Sequence, residues 1–147
     1  MEAALQQARR AALHGDVPVG AVMLHEGDII ARAGNVREAQ QDPVGHAEML
    51  VLRAAAGHLG RWRLGDCTLV CTLEPCPMCA GALINARLGR LVYGARDPRA
   101  GAAGTCLDIL GDRRLNHRVE VVPGVMAPTC AAMLQAFFAG RRGPRGL

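Results

Sequence analysis

The stretch "CTLVCTLEPCPMCAGALINARLGRLVYGA" (residues 67–95) reads as a strand, a helix and a second strand in direct succession. Residues 67–73 are an apolar run carrying the β-branched Thr68, Val70 and Thr72. Residues 77–88 predict a helix, and Pro77 suits its first position because proline has no N–H to leave unpaired. Residues 90–95 return to a strand-like run. Strands alternating with helices imply a mostly parallel sheet covered on both faces.

Working outward, residues 2–14 place Ala4, Leu5, Ala8 and Ala12 at helical spacing. "VGAVML" (19–24) and "IIARAGN" (29–35) flank the turn "HEGD" (25–28) and predict an antiparallel hairpin. A polar loop with Pro43 covers 36–45, and a helix over 47–58 closes near Gly60. Downstream come a short helix over 105–111, a strand over 118–123 and a final helix over 128–140. The expected fold is α/β, a three-layer α/β/α domain around a five-stranded mixed sheet with the antiparallel hairpin at one end. At 147 residues, half of them apolar, the chain fits one domain over 1–147, with 143–147 as a flexible tail.

No apolar run is long enough to span a membrane. The opening "MEAALQQARRAALHGD" is too densely charged for a signal peptide, so a cytoplasmic protein is expected. The cysteines do not suggest a secreted disulfide scaffold. Cys67 and Cys71 lie in a strand-like run and Cys106 and Cys130 in helix-like runs, all expected as small buried core residues. Every basic side chain is arginine. Residues 1–95 carry nine arginines and nine acids, so the net charge of +4 sits in the last third, where a basic surface suits phosphate contacts.

Only Cys76 and Cys79 have ligand spacing. Three apart at a helix start, they share one face and can grip one ion. Alone, the pair fits a redox couple, half a structural zinc site or part of a catalytic metal site. "GHAEML" (45–50) adds His46 and Glu48. His46, Cys76 and Cys79 make three ligands for a tetrahedral Zn2+ with its fourth position open. Glu48 supplies a carboxylate to carry protons. His46 and Glu48, two apart, can serve one site only if His46 lies at or before the first helical residue. A redox pair has no use for His46 and Glu48, and a structural site needs a fourth ligand.

At these residues the chain resembles the cytidine-deaminase-like zinc deaminases. Over "DVPVGAVML", "GNVREAQQDPVGHAE", "TLEPCPMCAGALINARLGRLVYGARDPRAGAAGT" and "LNHRVEVVPGVMAPTCAAMLQAFFAGRR" it resembles bacterial tRNA-specific adenosine deaminases, from about residue 8 to 142. The resemblance implies one zinc per subunit on His46, Cys76 and Cys79, with Glu48 catalytic. It implies a homodimer acting on the wobble adenosine of a tRNA anticodon loop. It further implies substrate contacts from Asn35, Val17, Pro18 and Ala47, and RNA contacts from Arg96, Asp97, Phe137, Phe138, Arg141 and Arg142. Gly45 departs from the family pattern and is expected to loosen the approach to His46. Two alternatives remain at this point: a deaminase of free guanine, cytosine or a nucleoside, and a silent zinc-stabilised RNA-binding subunit.

Overall fold

The computed structural model describes residues 1–142; the tail expected at 143–147 lies outside the described residues. The elements are α1 (Glu2–Leu13), β1 (Gly20–His25), β2 (Asp28–Gly34), α2 (Ala47–Leu59), β3 (Cys67–Leu73), α3 (Pro77–Asn85), β4 (Arg90–Ala95), β5 (Glu120–Val122) and α4 (Ala127–Arg141). Glu26 and Gly27 both take positive φ in the β1–β2 turn, the conformation whose twist matches paired strands.

The five strands form one mixed sheet in the order β2-β1-β3-β4-β5. The expectation of a mostly parallel sheet needs correction. β1 pairs antiparallel with both β2 and β3, while β3–β4 and β4–β5 are parallel. The α2 crossover still links two strands of like direction, β2 and β3, but β1 lies between them.

Strand alternation sorts side chains to two faces. Ala21, Met23, Leu69, Cys71, Leu91 and Tyr93 share one core with Val51, Leu52 and Ala55 of α2 and Leu83 and Ile84 of α3. Val22 and Val70 pack against Ala4 of α1 on the opposite face, and Leu5 of α1 joins Ala95 and Cys130 of α4 there. The three layers are therefore α2 and α3, the sheet, and α1 with α4. Each fully buried leucine in them contributes about 1.5–3 kcal/mol. Gly20 lets α1 lie directly on β1, since a Cβ there would sit 2.0 Å from the Ala4 carbonyl oxygen.

The helix expected over 105–111 does not form. The backbone N–H groups of Cys106 and Leu107 both donate to the Gly101 carbonyl, and that of Thr105 donates to the Glu74 side chain. The N–H groups that a helical ladder would need also go elsewhere, that of Ile109 to the Ala102 carbonyl and that of Gly111 to the Asp108 side chain, and an isolated bridge joins Ala103 to Asp108. Cys106 is consequently exposed, against expectation, while Cys67, Cys71 and Cys130 are buried as expected. α3 stops at Asn85, short of residue 88, and Arg87 just beyond takes φ 55°. Among the described residues no helix is long and apolar enough to cross a membrane.

Candidate metal centre and active site

The parallel strands β3 and β4 deliver their C-terminal ends to one edge of the sheet, the usual place for a site in an α/β fold. α3 begins there, and α2 brings its N-terminus to the same place. Each helix opens on a candidate ligand. His46 is the residue before α2, with extended backbone (φ −83°, ψ 145°), and Cys76 is the residue before α3 (φ −73°, ψ 173°). Pro77 occupies the first turn of α3. His46 thus precedes the helix, as the His46–Glu48 spacing requires.

The Nδ1 of His46 lies 3.6 Å from the Cys76 sulfur and 3.5 Å from the Cys79 sulfur. An ion about 2.3 Å from sulfur and about 2.0–2.1 Å from nitrogen at tetrahedral angles needs a sulfur–nitrogen separation of about 3.5 Å. The spacing and the N/S donor set therefore fit zinc, and three ligands leave one position open. Both sulfurs sit in the first turn of α3, where the helix dipole favours thiolate. The Cys79 side chain, with His46 adding to the effect, holds the Cys76 thiol down to about 4, while the Cys79 thiol is pushed up.

Glu48 is 4% exposed in the first turn of α2, and its Oε2 lies 3.7 Å from the Cys79 sulfur. Burial pushes its carboxyl up to about 7. A carboxyl tuned near neutrality can both accept and return a proton.

A cavity of about 900 Å³ includes His46, Glu48 and Cys76 in its lining. Val17 and Asn35 line it as expected, whereas Pro18 and Ala47 do not; Val19 and Leu73 complete the apolar wall. Pro18 and Ala47 are both buried. Ala47 acts through its backbone, its N–H donating to the Asn35 Oδ1 at 2.9 Å. Of the expected RNA contacts, Arg96, Asp97, Phe138, Arg141 and Arg142 line the cavity and Phe137 does not. The Arg141 guanidinium lies 4.5 Å from the Phe137 ring centroid and donates to the Gly15 carbonyl, tying the end of α4 to the segment before β1.

The expectation for Gly45 is reversed. It is buried, and an added Cβ would meet the Asp42 carbonyl oxygen and a Val36 methyl at 3.1 Å. Its N–H donates to the Asp42 carbonyl, and its own carbonyl accepts from Val36. Gly45 tightens the approach to His46 rather than loosening it. The same loop is pinned by buried Asp16, whose carboxylate accepts the N–H groups of Glu38 at 2.8 Å and Ala39 at 3.0 Å. Sequence reasoning missed Asp16, along with Arg37, Arg99 and Glu74 in the cavity lining. The signal for Glu74 was a carboxylate directly after the apolar run of β3.

Comparisons with known proteins agree with this geometry. The MafB19-like deaminase family matches residues 1–142. A protein of Bacillus subtilis (strain 168) named tRNA-specific adenosine deaminase is 50% identical over 138 residues, 94% of this chain and 86% of that protein. A solved structure described as a tRNA deaminase performing A-to-I editing at the wobble position superimposes with a TM-score of 0.87 at 41% identity, covering 90% of this chain and 96% of that one. A guanine deaminase from Nitrosomonas europaea superimposes with a TM-score of 0.80 at 25% identity, covering 92% and 81%.

Proposed function

This chain belongs to the tRNA-specific adenosine deaminases, and on that premise we propose that it converts adenosine to inosine at the wobble position of a tRNA anticodon by hydrolytic deamination. His46, Cys76 and Cys79 would hold a zinc ion. When bound, zinc supplies Lewis acidity that makes water a nucleophile near neutral pH.

The remaining work falls to the chain's own groups. Glu48 takes the proton of the attacking water and delivers it to N1 of adenine as C6 is attacked. It then takes the remaining proton from the hydroxyl added at C6 and passes it to the amino group, which leaves as ammonia. Val17, Val19 and Leu73 offer the base an apolar wall that limits bulk water, and the Asn35 amide can orient the nucleoside. The target base must leave its stack, a modest cost in a loop whose bases are already partly unstacked.

The observation that carries the choice of RNA is the arginine rim. Arg37, Arg96, Arg99, Arg141 and Arg142 are all exposed and all line the cavity that holds the metal ligands. A free base carries no phosphate and has no use for such a rim, whereas a flipped nucleotide brings flanking phosphates. The family resemblance extends the reading to a cytoplasmic homodimer. The apolar groove around Met49, Leu52 and Ala86, with Trp62 57% exposed beside it, accords with a covered face.

The test is turnover of a tRNA with an ACG anticodon beside free guanine, cytosine and adenosine. Inosine at the wobble position is expected, and turnover of the free bases alone would sink the proposal. Glu48→Ala should keep zinc and fold and lose activity by at least about 10²-fold, the usual contribution of a general acid–base group; full activity would refute the mechanism and reopen the silent-subunit alternative.

A further inference from the structure

We propose that Glu74 is a positioning residue that keeps the cavity-lining loop 96–106 in register with the metal-ligating turn of α3. The identity of the substrate rests on the proposed function; the anchor itself rests on geometry.

Glu74 follows β3 directly and stands two residues before Cys76. It is 1% exposed, and an unpaired carboxylate in such a place would be strongly destabilising. It is instead saturated by the loop. Its Oε2 accepts the Asp97 N–H at 3.0 Å and the Thr105 hydroxyl at 2.6 Å. Its Oε1 accepts the N–H groups of Ala103 at 3.1 Å and Thr105 at 3.0 Å. Two backbone bonds reinforce the join, from Glu74 N–H to the Ala95 carbonyl and from Ala102 N–H to the Pro75 carbonyl, each 2.8 Å. The loop also closes tightly at Gly101, where a Cβ would fall 2.3 Å from Oε2.

The loop therefore wraps one carboxylate where a longer loop would need a core of its own. What it presents on its other side is Arg96, Asp97, Pro98, Arg99 and Ala100, all lining the cavity. Every contact at the carboxylate is a donor, so only an acceptor-only group satisfies them. Glutamine matches the shape of Glu74 but turns an NH2 toward these donors. Displacing the loop should weaken contacts to parts of the substrate away from the reacting atoms. Loss of such uniform binding raises KM and spares kcat.

The experiment compares Glu74→Gln, Thr105→Val and Thr105→Ser with the parent. Zinc content, amide exchange, and kcat and KM on an anticodon stem-loop RNA are measured. For Glu74→Gln we expect zinc retained, kcat within about twofold and KM raised about tenfold, the pattern of lost uniform binding. An unchanged KM, or a fall in kcat alone, would overturn the proposal. If Glu74→Gln fails to fold, Thr105→Val decides. Its KM should rise about threefold while Thr105→Ser, which keeps the hydroxyl, stays at the parent value, and an unmoved Thr105→Val would overturn the proposal. Amide exchange at Asp97, Ala103 and Thr105 reads the anchor without substrate. Faster exchange there in Thr105→Val supports it, and unchanged exchange overturns it. A parent inactive on RNA would defeat the proposed function and leave the exchange result to judge the anchor.

Discussion

The Asn35 side-chain oxygen accepts the Ala47 N–H at 2.9 Å, so the residue after β2 caps the helix that carries His46 and Glu48. α2 has no cap from His46 itself, which leaves the ring free for a metal. Asn35→Ala should cost about 1 kcal/mol, the usual worth of an N-terminal cap, in a denaturant melt. Asn35→Asp keeps the acceptor and should regain that stability without regaining turnover, because it lacks the amide NH2. Equal turnover in Asn35→Asp and the parent would remove Asn35 from substrate binding.

Gly20→Ala should be far more damaging than its size suggests. The new methyl would stand 2.0 Å from the Ala4 carbonyl oxygen and 2.5 Å from the Ala8 nitrogen, both backbone atoms that cannot swing aside. α1 must lift off β1, at a cost of at least about 3 kcal/mol, the upper end for overpacked sites. The measurement is the shift of the unfolding midpoint, and a change near zero would mean the helix slides freely.

Acid should loosen the loop around Glu74 before it unfolds the sheet. Burial pushes this carboxyl up, but the Thr105 hydroxyl and the N–H groups of Asp97, Thr105 and Ala103 outweigh it and hold the carboxyl below its ordinary value of 4.5. Its stabilising contribution is complete above that ordinary value and is lost as pH falls through the lower, folded one. Amide exchange at Ala103 and Thr105 should accelerate on acidification, and in Thr105→Val the acceleration should begin at higher pH. An onset at the same pH in both proteins would contradict the balance described.

Chelation should lower the melting temperature and expose a thiol. Metal held by the folded chain alone stabilises it by about 2.7 kcal/mol at a free concentration one hundred times Kd. Cys106 is exposed and should react with a thiol reagent at once, whereas Cys76 is half-buried and, on the proposed reading, would be held by the metal. Removing zinc should add Cys76 to the reactive set. A reactive-thiol count that chelation leaves unchanged would argue against Cys76 as a ligand.

Arg141→Ala should free the last turn of α4. Its guanidinium holds the Gly15 carbonyl and covers the Phe137 ring, two contacts that together are worth about 1–2 kcal/mol. Limited proteolysis after Phe137 or Phe138 should quicken, and KM for RNA should rise. Proteolysis at the parent rate would reduce Arg141 to an RNA contact only.

The strands and most helices were legible because their signals are local: apolar alternation, helical spacing, Pro77 at a helix start. The cluster of His46, Cys76 and Cys79 was legible for a different reason. Few side-chain types bind zinc, and cap positions fixed where His46 and Cys76 would point. The segment 105–111 was misread because the Ile109 N–H, which a helix would aim at Thr105, goes to the Ala102 carbonyl, while the loop folds around Glu74 and Gly101, partners no local pattern reveals. Cys106 was misplaced with it. The second antiparallel pair was missed because neighbours in a sheet need not be neighbours in the chain. Arg37 and Arg99 reach the cavity only through loop closure, so nothing in their own sequence context marks them.

The place of β3 in the sheet also sets when the centre can exist. β3 is the hinge between the antiparallel half, paired to β1, and the parallel half, paired to β4. His46 enters from the first half and the cysteines from the second. The β1–β2 hairpin closes through a two-residue turn and can form early, but His46, Cys76 and Cys79 converge only after β3 has docked on it. Metal capture during refolding should therefore lag hairpin formation, which makes zinc a clock for the moment at which the two halves of the chain become one molecule.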